Sequence, residues 1–114
     1  MPTLDECKEM ISMLANKKGW GSDVGTKIFY AMIELGEAGD IWKHRNDPEY
    51  LLSILRLDIN HVKSAIAEEL IDAIYYCLHA LHCLDESLSA DEIFLSKHKV
   101  NEGRNRVYTD DSCG

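Results

Sequence analysis

Five acidic side chains in the middle of the chain have the types and spacing of residues that bind a divalent cation. Glu34, Glu37 and Asp40 lie three residues apart, and Glu69 and Asp72 repeat that spacing further on. Residues three apart share a helix face, and like charges there cost about 0.2–0.5 kcal/mol unless something screens them. A cation would relieve the repulsion, and carboxylate oxygens favour Mg²⁺, or Mn²⁺ in its place. The spacing therefore predicts a metal site with Glu34, Glu37, Glu69 and Asp72 as ligands.

The alternative explanation of these acids is chance. A chain with 20 Asp and Glu among 114 residues places some of them three apart on a solvent-exposed helix face without any function. The neighbours of the acids favour the metal site, because Glu34 precedes Leu35, Glu69 precedes Leu70, and Asp72 is also followed by apolar residues. Each acid thus borders the apolar stripe of its helix, so two packed helices would turn the acids toward each other.

Helical periodicity predicts the elements that must position these acids. Capping boxes at Thr3 and Ser89, an Asp47-Pro48 start signal and a capping Asn60 mark helix beginnings. The predicted helices cover about residues 4–18, 23–44, 48–57, 61–86 and 90–103. No segment alternates like a strand. We therefore expect an all-α bundle of four to five helices around a long central helix of roughly 40 Å, with residues 1–104 as a single domain and residues 105–114 as a polar tail.

Composition and charge exclude several classes of function. Twelve basic against 20 acidic residues give a net charge of −8, which disfavours binding to a nucleic acid polymer. The longest apolar run, Ala73 to Leu78, is too short for a membrane span, and the first residues do not resemble a signal peptide. A hydrophobic content of 46% makes a core that needs no disulfides, so we expect a cytoplasmic protein with reduced cysteines.

The acidic strings Glu34-Leu-Gly-Glu37 and Glu69-Leu-Ile-Asp72 resemble the ExxE and ExxD halves of the MazG-like, all-α nucleoside triphosphate pyrophosphohydrolases, relatives of the dimeric dUTPases. Two further segments agree with this family. The string Lys17-Lys18-Gly19-Trp20 precedes the first acidic helix, as a basic, aromatic-containing loop does there. The later pattern Lys-x3-Asn-x2-Arg is matched by Lys97, Asn101 and Arg104. The resemblance covers about residues 17–106.

Two departures from the family pattern concern the site. The family often has a second glutamate immediately before ExxE, where this sequence has Ile33, and whether Asp40 replaces it stays open. The stretch between the acidic motifs, residues 38–68, is also longer than usual and contains the helix predicted at Pro48. This extra segment is expected to reshape the substrate pocket.

The resemblance implies Mg²⁺-dependent cleavage of a nucleoside triphosphate, expected to be a deoxynucleotide, into the monophosphate and pyrophosphate, as in cleansing of a nucleotide pool. One of the four carboxylates is then expected to orient or deprotonate the attacking water, and among the four we assign this catalytic role to Glu37. Substrate binding falls to Lys18, Trp20, Lys97, Asn101 and Arg104. For Trp20 the alternative is a core anchor that closes its loop, and for the residues near the end of the chain it is ordinary exposed helix polarity.

The sequence also predicts self-association, and it leaves two non-enzymatic functions open. The two main helices leave apolar faces uncovered, which predicts a homodimer or homotetramer, as the resemblance also implies. The alternative is a monomer in which the fifth helix covers the gap. The competing functions are a non-catalytic helical interaction module with an acidic face and a module that senses nucleotides without cleaving them.

Overall fold

The structure, a computed structural model, describes residues 1–104, and the predicted tail at 105–114 lies outside the described residues. All regular structure in residues 1–104 is helical, which confirms the all-α prediction. The elements are α1 (Leu4–Lys18), α2 (Val24–Lys43), α3 (Pro48–Ser53), a 3₁₀ turn (Ile59–His61), α4 (Val62–Leu84) and α5 (Ala90–Glu102).

Local capping explains where the first two helices begin and end. The Thr3 hydroxyl accepts from the backbone N–H of Glu6 while the Glu6 side chain accepts from the backbone of Thr3, which confirms the predicted capping box. Gly19 ends α1 in the left-handed region at φ 69°, where a side chain would be strained. Asp23 caps α2 by accepting from the N–H of Thr26.

The segment between α2 and α4 differs from the prediction. We expected the third helix to continue to residue 57, whereas α3 ends at Ser53. Leu55 and Leu57 pack onto a core cluster at the junction of α2, α3 and α4, and Arg56 between them takes a positive φ of 56°. A continuing helix would point these leucines elsewhere, so burial outweighs helix propensity here. Asp58, and not Asn60, caps the turn that precedes α4.

The long helix α4 is the centre of the fold, as predicted. Its 23 residues span about 34 Å, and it packs along α2 on one side and against α1 on another. Ile11 of α1, Leu78 of α4 and Ala90 of α5 form a second core cluster. The pairing of α2 with α4 is the contact that brings the two acidic motifs together.

The beginnings of α1 and α5 are joined by two aspartates. The carboxylate of Asp5 accepts from the Ser89 hydroxyl at 2.6 Å and from the N–H of Ala90 at 2.6 Å. The carboxylate of Asp91 accepts from the N–H groups of Leu4 at 3.0 Å and Asp5 at 3.2 Å. These bonds fix the start of α5 against α1.

One side of the α2–α4 pair is an exposed apolar face. It contains a groove of about 370 Å³ whose lining includes Ile28, Met32, Leu35, Cys77, Leu81 and Leu84. Met32 is 60% exposed and Leu84 is 63% exposed. The apolar side chains of α5, such as Phe94, are exposed as well. The fifth helix therefore leaves this face uncovered.

Neither the two long helices nor any other helix in residues 1–104 combines the length and apolar character that a membrane span requires.

Candidate metal centre

Three of the four predicted metal ligands meet between α2 and α4. Glu34 and Glu37 come from α2 and Glu69 comes from α4, and one carboxylate oxygen from each lies within 4.8 Å of the others. Ala38 of α2 and Ala73 of α4 are buried beside them. Because these small residues let the helices approach closely, the acids of both helices share one position along the pair.

Asp72, the fourth predicted ligand, does not belong to this group. It is exposed on α4, nearly one turn beyond Glu69. Asp40 is directed elsewhere too, since it contacts His44 Nδ1 at 3.1 Å and accepts from the Tyr50 hydroxyl at 3.4 Å. Ile33, where the resemblance leads to the expectation of a further glutamate, is an exposed apolar residue.

Glu69 is the residue of the group that most needs a partner. The pKa of Glu69 is raised to about 8, first by the hydrogen bond that its protonated form makes with Glu34, then by burial and by Glu37. When Glu69 is ionised, its buried Oε2 has no hydrogen-bond partner among residues 1–104. A proton or a cation satisfies this oxygen, and three converging carboxylates suit a hard divalent ion such as Mg²⁺. The residues present therefore fit the predicted metal.

An aromatic cavity of about 410 Å³ lies on one side of the acids. Its lining comprises Trp20, Gly21, Asp23, Thr26, Lys27, Tyr30, Tyr76 and His79. Tyr30 and Tyr76 contact each other with ring centroids 5.4 Å apart. The pKa of Tyr76 is raised by burial first and then by the negative charges of Glu34 and Asp72, so this ring lies within electrostatic range of the acids. The cavity and the acidic group are thus neighbours.

Trp20 both anchors its loop and lines the cavity. Its ring lies 6.5 Å from that of Tyr75, nearly perpendicular, and 6.1 Å from that of His79. The residue nevertheless stays 43% exposed. The anchoring role and an accessible ring face are therefore compatible in this geometry.

A second cavity, of about 400 Å³, lies at the other end of the acidic group. It is lined by Glu37, Asp40, Ile41, Ile54, Leu55, Leu57, Ala65 and Glu69. Three of its apolar residues follow α3, in the segment between the two acidic motifs. The acidic group therefore lies between the aromatic cavity and this second cavity.

The predicted substrate-binding residues other than Trp20 lie apart from the acids within one chain. Lys18 is exposed at the end of α1, and Lys97, Asn101 and Arg104 are exposed on α5 or directly after it. Lys97 borders a shallow depression on α5 itself, and α5 packs mainly against α1. None of the four lines either cavity beside the glutamates.

Lys27 is a cavity residue that the sequence analysis missed. It is only 6% exposed and lies on the face of α2 that also carries Ala31 and Glu34. The sequence carried no signal for it, because a single charged residue in an apolar helix has no periodicity of its own.

No family model, curated protein or solved structure matches the chain.

Proposed function

We propose that the protein is a Mg²⁺-dependent nucleoside triphosphate pyrophosphohydrolase that yields a nucleoside monophosphate and pyrophosphate. The observation that carries this proposal is the group of Glu34, Glu37 and Glu69, with oxygens within 4.8 Å of one another, beside an aromatic cavity of about 410 Å³. A cation site next to an aromatic pocket suits a ligand with a polyanionic end and a planar end.

Glu34, Glu37 and Glu69 are the residues proposed to hold the metal, with Asp72 as a further ligand from the next turn of α4. Bound Mg²⁺, or Mn²⁺, supplies charge neutralisation at the phosphate oxygens and lowers the pKa of water. Glu37 borders both the acidic group and the second cavity, so it is the carboxylate proposed to orient the attacking water and to accept its proton.

The aromatic cavity is the proposed pocket for the base. The exposed side of Trp20 offers a surface for stacking, which contributes about 1–3 kcal/mol per base in other proteins. Tyr30 and Tyr76 close the cavity on the side of the acids. A base in this cavity would direct its sugar and phosphates toward the glutamates. A deoxyribose sugar is our expectation for the substrate.

A second copy of the chain is the proposed cover of the apolar face. Met32 and Leu84 on this face are more than half exposed, and Ile28 and Leu35 are each 50% exposed. A contiguous exposed apolar face of this kind is typical of a protein–protein interface. In a homodimer or homotetramer, α5 of one copy can bring Lys97, Asn101 and Arg104 to the phosphates held by another copy. Lys97 and Arg104 of the second copy would then supply positive charge beside the acids, which Lys97 and Arg104 of the same chain do not reach.

A nucleotide panel tests the activity. Deoxy- and ribonucleoside triphosphates are incubated with Mg²⁺, with Mn²⁺ or with a chelator, and pyrophosphate is measured against orthophosphate. We expect pyrophosphate release that Glu37→Gln and Glu69→Gln abolish and that Glu68→Gln, a change at the neighbouring exposed acid, preserves. Orthophosphate as the first product, or equal activity in all three variants, would contradict the proposal.

The alternative is a non-catalytic helical module, and its basis is the same acidic group next to a large exposed apolar face. Tight nucleotide binding without turnover would identify a nucleotide-sensing module. Absence of both binding and turnover would leave an interaction module whose acidic face recognises a basic partner.

A further inference from the structure

The side of α2 that faces away from α4 is apolar as well. Phe29 and Ile33 lie four residues apart there and are 64% and 53% exposed. Each residue advances about 100° around a helix, so both side chains lie about 160° from that of Ala31, which is buried on the side that packs along α4. Gly25 and Gly36 continue the same line toward each end of the helix. We call these four residues the outer stripe.

The helix α2 is therefore apolar on three sides. Ala31 and Ala38 are buried on the side of α4, Met32 lies on the apolar face, and the outer stripe points away from α4. A helix that is apolar around most of its circumference is normally buried on every apolar side. A second copy on the apolar face covers only one of the two exposed sides, so the outer stripe calls for a further partner.

The charges along α2 favour another copy of the chain as that partner. The first half of α2, residues 24–33, has no acidic side chain, whereas the second half carries Glu34, Glu37 and Asp40. Two copies of α2 packed antiparallel would place the acidic half of each beside the positively polarised N-terminus of the other. The outer stripe itself contains no charged residue, so identical stripes do not repel each other.

The spacing within the outer stripe also fits a two-fold contact. In an antiparallel pair centred between Phe29 and Ile33, each Phe29 meets the Ile33 of the other copy and each Gly25 meets a Gly36, and a two-fold interface requires such self-complementarity. Gly36 is exposed, and a Cβ added to it would meet no atom beyond its own stretch of helix within 4 Å in residues 1–104. Glycine inside a helix is less stable than alanine, so the close approach of a second helix gives Gly36 a role that its own chain does not.

We propose that the outer stripes of two dimers pair in this antiparallel way, so that the protein is a tetramer with two kinds of interface. The apolar face joins the two chains of each dimer, and the outer stripe joins the dimers. This inference rests on the proposed function for the dimer at the apolar face. Because the outer stripe has only two large apolar side chains, it joins dimers that already exist and does not hold two single chains together.

Sedimentation equilibrium of the full chain, from micromolar to nearly millimolar concentration, tests the outer stripe. The wild-type chain should reach four chain masses. Phe29→Glu and Ile33→Glu should each halve that mass, because a charge buried in an apolar interface is costly. Leu52→Glu, a change at an equally exposed leucine of α3, should keep four chain masses. Met32→Glu, on the apolar face, should give single chains.

Two double variants test the antiparallel arrangement. Phe29→Glu with Ile33→Lys places opposite charges across an antiparallel contact, so it should form more tetramer than Phe29→Glu with Ile33→Glu, which loses the same apolar side chains. Both residues are exposed in the single chain, so each variant should keep the circular dichroism of the wild type, and its mass then reports the interface.

Three outcomes would overturn the inference and leave the dimer at the apolar face standing. They are a wild-type chain that stays a dimer over the whole concentration range, four chain masses in Phe29→Glu, and equal tetramer fractions in the two double variants. A wild-type monomer over the same range would refute the dimer at the apolar face and the pairing of outer stripes together.

Discussion

Glu69 is predicted to make cation binding at the proposed metal site depend on pH, because its raised pKa leaves it protonated near neutrality. Its pKa of about 8 means that a cation must displace this proton below that pH. We predict that Mg²⁺ affinity rises about tenfold per pH unit from pH 6 and levels off above about pH 8. Calorimetry across this range measures it. Glu68→Gln should reproduce the wild-type curve, and a pH-independent affinity in the wild-type chain would refute the linkage.

Trp20 is predicted to contribute nucleotide affinity that Trp42 does not. Both rings are partly exposed, but Trp20 lines the aromatic cavity whereas Trp42 lies beneath the guanidinium of Arg45. Loss of stacking in Trp20→Leu should raise the Kd for a nucleotide about tenfold. Trp42→Leu is the matched control and should leave the Kd unchanged. Fluorescence quenching on nucleotide addition, measured in each variant, identifies the tryptophan that stacks on the base. If the nucleotide still quenched the fluorescence of Trp42 in Trp20→Leu, the assignment would be contradicted.

At the residue scale, the sequence predicted which carboxylates meet better than it predicted the residues around them. The spacing of Glu34 and Glu37 was informative because helix geometry alone places them on one face of α2, whereas Glu69 joins them through the packing of α4 against α2. Asp72 has the same spacing, yet the packing of α4 leaves it exposed. Lys27 was missed since one charge in an apolar helix has no periodic signal of its own.

The connection between α3 and α4 shapes the second cavity and contains a strained residue. Arg56 has a φ of 56°, where a side chain costs about 1 kcal/mol relative to glycine. Arg56→Gly should therefore raise the free energy of unfolding by about 0.5–1 kcal/mol in denaturant melts. Ser53→Gly, inside α3, is the control and should lower it by roughly 0.5 kcal/mol. A loss of stability in Arg56→Gly comparable to that of the control would show that the arginine side chain contributes more than its backbone strain costs.

Three of the four predicted helix beginnings were right, but one beginning and one helix end were not. Thr3, Asp47 and Ser89 cap the helices expected of them, because a cap is a local hydrogen bond, whereas Asn60 does not cap α4. The end of α3 depends on Leu55 and Leu57 reaching a core that also includes residues of α2 and α4. The burial of these two leucines depends on tertiary contacts, so the sequence pattern of the segment itself does not predict it.

At the scale of the whole molecule, the exposed apolar face should determine the oligomeric state. We predict that sedimentation gives two or four times the chain mass of 12.9 kDa. Met32→Glu on the apolar face should shift the protein toward a monomer, because a charge buried in an apolar interface is costly. Leu52→Glu changes an equally exposed leucine on α3 and should not alter the mass. A wild-type monomer at micromolar concentration would refute the proposed interface.

Mixing inactive chains tests whether one site uses residues of two copies. Glu69→Gln and Lys97→Ala should each be inactive alone. If α5 acts on the partner's site, a mixed dimer contains one site with both residues intact, so equal mixing should restore up to about a quarter of wild-type activity. Continued inactivity after the chains have exchanged would place both residues in a site formed by one copy.

The aspartates that join α1 to α5 also affect how the structure responds to low pH. Two helix N-termini, each with an excess of positive charge, meet there, and each donates backbone N–H groups to the carboxylate of the other helix. The pKa of Asp5 is lowered, mainly by its hydrogen bond from Ser89, whereas that of Glu69 is raised to about 8. On acidification we therefore expect the proposed metal site to be protonated at Glu69 while Asp5 still accepts from the first turn of α5.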